Sequence, residues 1–161
     1  MILVVSDTSP IRALHHLGLL PILGQLFERV IVPPAVVDEL ASPPPRFAIV
    51  DLADYDFFEI RAPHNISQVQ QFLYSLDAGE SEALALAIEI HAEAVLMDEA
   101  AGRKAATENG IVWFGTLGIL LRAKTQGHLA KVRPLMDRLI DELDFFVSEK
   151  LKQEVLELAG E

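Results

Sequence analysis

Four short apolar runs, ILVVS at 2–6, VIV at 30–32, AVLM at 94–97 and IVWF at 111–114, alternate along this chain with stretches whose apolar residues repeat at helical spacing. Runs this short, bounded by turn residues and polar groups, read as buried strands rather than helices. Strands separated by helices neighbour one another through crossover connections, which makes them parallel. The expected fold class is therefore α/β: a three-layer sandwich whose central, mostly parallel sheet is flanked by helices on both faces.

The intervening segments fill in the layout. PIRALHHLGLLPILGQLF, residues 10–27, has helical spacing interrupted near Gly18 and Pro21, which predicts two short helices. PPAVVDEL at 33–40 opens with prolines suited to a helix start, whereas ASPPPRF at 41–47 has no helical capacity and reads as a linker. FFEIRA at 57–62 is an expected edge strand, and NISQVQQFLYSL at 65–76 a helix capped by Asn65 or Ser67. Further helices are expected over 77–92, over 99–110 with a stop at Gly110, over 116–127, and within the mixed-charge stretch from 137 to 161. At 161 residues there is room for one substantial core. The expected division is a main domain over 1–145 and a C-terminal helical tail over 146–161.

Several chemistries are excluded at once. The chain has no cysteine, which removes disulfides, thiolate nucleophiles and zinc–thiolate sites and leaves oxygen or histidine as metal ligands. His15 and His16 are adjacent and His64, His91 and His128 scattered, so none has the i, i+4 spacing of a zinc helix and none is assigned a role. No apolar run reaches a membrane span and no basic segment precedes the first one, so a cytoplasmic protein without membrane contact is expected. The formal charge is −11, from 24 acids and 13 bases, which as a bulk property opposes nucleic-acid binding and favours cations or basic partners. It stops opposing it if the acids are gathered around a metal ion.

Four acids lie at the ends of elements. Asp7 and Asp98 each close an apolar run, and in open parallel sheets ligands bind beyond the carboxyl ends of the strands. A carboxylate there is costly unless something positive meets it, although each alone reads equally as a helix cap. In PPAVVDEL the adjacent Asp38 and Glu39 cannot share a helical face, so one acid falls near the rim. Glu80 begins an otherwise apolar helix; Glu82 reads more simply as complementing that helix dipole. Acids so placed, in a chain without cysteine, fit Mg2+ or Mn2+ better than any other single chemistry.

The blocks VSDTSPIRAL, VIVPPAVVDEL, LDAGESEALALA and AVLMDEAAGRKAA, with GIVWFGTLGILLRAKTQG behind them, resemble the PIN-domain ribonucleases. The nearest branch is an uncharacterised PIN-like group related to the VapC-type toxins of toxin–antitoxin pairs. The resemblance runs from residue 2 to about 140 and rests on the order and spacing of the blocks. It implies a PIN-like sandwich, metal-dependent cleavage of RNA, and Asp7, Glu39, Glu80 and Asp98 as the catalytic, metal-binding acids. Where many VapC-like chains have aspartate at the third position, this one has Glu80, one methylene longer.

Other residues group around these. Thr8 and Ser9 could bond the acids or a phosphate, or cap a helix; Glu99 and Thr116 read better as caps, with auxiliary roles as the alternative. Arg12, Arg103 and Lys104 are the candidate RNA contacts, with Arg122 and Lys124 further along. Leu14, Leu17, Leu19, Leu20, Ile22, Leu23, Leu26 and Phe27 give the early helices more apolar surface than one side of a small sheet needs, so a homodimer or a docking groove for a small antitoxin protein is expected. The antitoxin's inhibitory segment would be basic, drawn to the acidic rim. The competing reading is an inactive PIN-like interaction module. Phospho-acceptor and haloacid-dehalogenase-like folds fit less well: Asp7 has no adjacent acid, FGTLGI at the end of the last strand offers no lysine, and Ser9 stands where a second acid is needed.

Overall fold

The computed structural model describes residues 2–161. Among these, five strands, β1 (Leu3–Ser6), β2 (Arg29–Val32), β3 (Phe58–Ile60), β4 (Ala94–Leu96) and β5 (Trp113–Phe114), form one sheet. Every pairing is parallel and the spatial order is β3-β2-β1-β4-β5. The helices are α1 (Thr8–His16), α2 (Ile22–Leu26), α3 (Pro34–Ala41), α4 (Ile66–Leu73), α5 (Ala78–Glu89), α6 (Ala100–Glu108), α7 (Thr116–Thr125), α8 (Arg133–Leu143) and α9 (Glu149–Ala159), with a single 3-10 turn at Leu52–Asp54.

Strand residues alternate between two cores, as a pleat requires. Val4, Val30, Val32, Ala94 and Leu96 join one apolar cluster with residues of α1, α2, α3, α7, α8 and α9, while Val5, Ile31, Val95 and Met97 join the other with α4, α5 and α6. Covering both faces is what makes the central strands β1, β2 and β4 largely apolar instead of alternating with polar residues. No helix among the described residues is long and apolar enough to cross a membrane.

The topology sets the site. From β1 the chain builds outward to β2 and β3, then returns to the other side of β1 with β4 and β5, so the order reverses at the β1–β4 pair, where a crevice opens beyond the strand ends. Ser6 is in register with Leu96, and the Asp7 amide donates to the Leu96 carbonyl at 3.0 Å. Asp7 and Asp98 therefore leave neighbouring strands at one edge.

One expectation changes here. The early leucines are not left over for a partner: Leu14, Leu17, Leu20, Ile22, Leu23, Leu26 and Phe27 are all buried, and only Leu19 is half-buried. What covers them comes from later in the chain. The mixed-charge stretch after 132 is two amphipathic helices, separated by a left-handed turn at Asp144, that contribute Met136, Leu139, Leu143, Val155, Leu156 and Ala159 to the same core. The Glu161 carboxylate fastens the end of α9 by accepting from the amides of Val132 and Arg133 and from Lys124 Nζ. Those bonds, the Val132 amide foremost, hold its pKa down at about 2.

Candidate functional site

Asp7 follows β1 directly and stands at the N-cap position of α1, yet its side chain makes no capping bond. It is 4% exposed, so a carboxylate at the end of a buried strand is left without a basic neighbour in hydrogen-bonding contact. The hydroxyls behind it reach across to other elements. Thr8 Oγ1 donates to the Glu39 carboxylate on α3, and Ser9 Oγ donates to Asp98 Oδ2 at 3.0 Å. Of the two readings of these hydroxyls, bonding to the acids is the one the fold adopts.

Asp98 sits just past β4 and accepts three bonds. Besides Ser9, the Thr116 amide reaches Oδ1 and the Thr116 hydroxyl reaches Oδ2, both at 2.7 Å. Thr116 is the first residue of α7, after Gly115 as N-cap, so Asp98 terminates that helix from another strand and Thr116 is an orienting donor instead of a cap. Glu99 occupies the N-cap position of α6 but makes no side-chain cap, and its exposed carboxylate lines the crevice.

Glu39 arrives on α3, whose start is secured from a distance: Glu82 Oε1 accepts from the Ala35 amide at 3.1 Å. Glu82 thus complements the N-terminus of α3, not that of α5 on which it resides. Asp77 caps α5 by accepting from the Glu80 amide at 2.8 Å. Gly79, between them, has no side chain because there is no space for one. A β-carbon there would lie 2.8 and 2.9 Å from the Glu39 carboxylate oxygens and 3.1 Å from Asp7 Oδ1.

Asp7, Glu39, Asp77, Glu80, Asp98 and Glu99 consequently line one crevice of about 840 Å³, with Arg12 and Arg103 on the same walls. Mutual repulsion and dry surroundings act on its acids. Burial, then the charges of Asp77, Glu39 and Asp98, pushes Asp7 up to about 7 against the opposing bond from the Thr8 amide. Glu80 rises to about 8 through burial, then the charge of Asp77 and a hydrogen bond shared with it, then Asp7 and Glu99. Arg12 donates to the Glu39 carbonyl at 2.9 Å and lies over the Phe47 ring; burial lowers its basicity while Glu39 and Asp7 raise it.

Not every anticipated residue is here. Lys104 lies on the outer face of α6, 4.0 Å from Glu108 one turn on, because its helical position points it away from the crevice. Lys124 is tied to Glu161, and Arg122 lies against Phe27 and Phe114. Asp77 escaped notice as a site acid because it reads as an ordinary cap; its signal was the i, i+3 spacing to Glu80, which places both on one helix face.

An all-parallel sheet with reversal at β1–β4, carrying its acids beyond those strands, agrees with a wider comparison. A family model described as a PIN domain (DUF3368) matches residues 3–161, nearly the whole chain. The chain belongs to the PIN-domain family. PIN domains have a nuclease-type fold and as a class use divalent metal ions. No curated protein matches this PIN domain significantly. Its donor set suits such an ion: carboxylates, two of them buried and pushed toward the protonated form by burial and by neighbouring acids, in a space kept open at Gly79. Among the described residues no three acids or histidines converge at ligand distance, so the carboxylates form a lined crevice and not a closed cage.

Proposed function

We propose that this PIN domain is a metal-dependent endoribonuclease acting in the cytoplasm, with Mg2+ or Mn2+ held by Asp7 and Asp98 and completed by Glu39 and Glu80. The observation that carries the reading is the pairing of burial with like charge: Asp7, 4% exposed, and Glu80, 7% exposed, share a crevice with Glu39, Asp77, Asp98 and Glu99 and are both pushed toward the protonated form. At a pH where these acids ionise, a divalent cation stabilises such a cluster by offsetting its repulsion.

A bound ion supplies what phosphodiester hydrolysis needs, a water acidic enough to attack near neutral pH and compensation for charge on the departing oxygen. The chain's own groups do the rest. Thr8 orients Glu39, while Ser9 and Thr116 fix Asp98 in one rotamer through three donors. Arg103 on the crevice wall offers a positive group to a phosphate, which the charge of −11 otherwise repels.

The toxin role belongs to this proposal too. A small antitoxin with a basic segment would place a cation among the same acids, and its binding would weaken as salt rises. The homodimer has lost its supporting surface, since the early leucines are internal. A second reading, an interaction module without activity, draws on the absence of a closed ligand cage among the described residues. Incubating labelled single-stranded RNA with the purified protein separates the two. The nuclease reading expects cleavage with Mg2+ or Mn2+ that stops on chelation; intact RNA under all metals leaves the module.

A further inference from the structure

The crevice continues past Asp98 to Trp113, on the edge strand β5. The Arg103 guanidinium lies 4.9 Å from the indole centroid, and Trp113 as a residue remains 37% exposed. Thr107 holds the pair together: its hydroxyl donates to the Arg103 carbonyl at 3.1 Å and accepts from Trp113 Nε1 at 3.2 Å. The only polar atom of the indole is thereby satisfied, and what remains to offer a ligand is its π surface.

Arg103 is equally placed for a ligand. Among the described residues its guanidinium forms no ion pair. Its Nη1 and Asp98 Oδ1 lie 4.0 and 3.2 Å from the point where a β-carbon on Gly115 would stand, so the cation borders the acidic cluster directly. The opposite wall differs. There Phe47 lies beneath both Arg12 and Arg46, Arg12 already donates to Glu39, and Arg46 is paired with Asp144. The Asp98 side combines an exposed aromatic surface with a cation that is free of ion pairs among the described residues.

Resting on the nuclease reading above, we propose that Trp113 and Arg103 form a nucleotide subsite for a single-stranded polynucleotide. The indole stacks a base and the guanidinium contacts its phosphate, next to the carboxylates that act on the chain. Stacking requires an unpaired base, so duplexes are excluded, and stacking alone is indifferent to base identity. RNA and DNA single strands share this chemistry.

Trp113 is the only tryptophan, which makes its fluorescence a report on this subsite alone. The full-length protein carrying Asp7→Asn, so that RNA survives, is titrated in Mg2+ with oligouridylate, oligodeoxythymidylate and a duplex. Saturable quenching by the single strands and none by the duplex is expected, and the ratio of the RNA and DNA affinities tells which polymer the subsite prefers. Trp113→Leu and Arg103→Gln should each weaken anisotropy-measured binding about tenfold or more, while Trp113→Phe, which keeps a π face, should hold it within about threefold. No quenching, or equal affinity for the Leu and Phe variants, overturns the subsite, as does quenching by a basic amphipathic peptide alone. In the parent background, cleavage with KM unchanged by Trp113→Leu rejects the subsite and leaves the nuclease standing. Quenching without any metal-dependent cleavage rejects the nuclease and leaves the subsite.

Discussion

The Glu39 carboxylate and the backbone of Gly79 approach so closely that a β-carbon on Gly79 would stand 2.8 Å from Glu39 Oε1. A glycine in the first turn of α5 therefore serves the crevice and not the helix, which would favour alanine. Gly79→Ala should leave the metal-free melting temperature unchanged or slightly raised, because the crowded atoms are ends of side chains that can swing away. It should weaken Mn2+ binding in titration calorimetry about tenfold. Parent-like affinity would show that Glu39 and Asp7 need not stand where they do.

Asp98 depends on its three donors. Ser9→Ala combined with Thr116→Val removes both hydroxyl bonds and leaves the Thr116 amide in place. Groups that orient a metal ligand typically contribute about tenfold to a hundredfold in affinity or activity. Loss of that size is expected in cleavage rate, with calorimetric Mn2+ affinity falling in parallel and circular dichroism unchanged.

The stability of the metal-free protein should depend on pH in two arms. Asp7 and Glu80 have native values of about 7 and about 8, above their ordinary 3.8 and 4.5, so the native state holds protons that the unfolded chain releases. That stabilisation is complete below about pH 4 and disappears as pH rises through 7 and 8; Asp7 alone accounts for about 4 kcal/mol by this linkage. Glu142 and Glu161 act oppositely. Held at about 2 by Arg138 and by the Val132 amide, they stabilise above pH 4.5 and cease to as pH falls toward 2. Melting temperature should peak at about pH 4 to 4.5, where the two arms cross, and saturating Mg2+ should lift the alkaline arm most, since the ion binds ionised carboxylates.

Glu82 should matter to stability more than a surface acid does. Glu82→Ala frees the Ala35 amide at the start of α3 and is expected to cost about 1 kcal/mol in urea denaturation, with Glu82→Gln retaining most of it because the amide oxygen still accepts.

Much of this was legible in the sequence, for reasons visible in particular residues. The alternation of Val4 with Val5 and of Leu96 with Met97 between two cores is what unbroken apolar strands imply, and Asp7 and Asp98 had to follow neighbouring strands once those strands were parallel. Contacts across long separations were not legible. The link from Glu82 to Ala35 spans 47 residues and that from Ser9 to Asp98 spans 89, and no local pattern encodes either. The same holds for the early leucines: helical spacing shows which face is apolar but not that α8 and α9, drawn from a stretch rich in charge, return to cover it. The placement of Lys104 outside the crevice was not legible even at short range, since proximity to Asp98 in sequence says nothing about which side of α6 it occupies.

Buried acids at the β1–β4 edge, on the reading proposed above, form a metal-dependent site for cutting RNA. That reading is tested most directly by the Mg2+-dependent cleavage rate of labelled single-stranded RNA for the parent, Asp7→Asn and Asp98→Asn, each shown to be folded by its melting curve. The parent should cleave and both variants should lose cleavage, while metal-free Asp7→Asn melts no lower than the parent because a repelling charge is gone. Cleavage by either folded variant at the parental rate would contradict the claim.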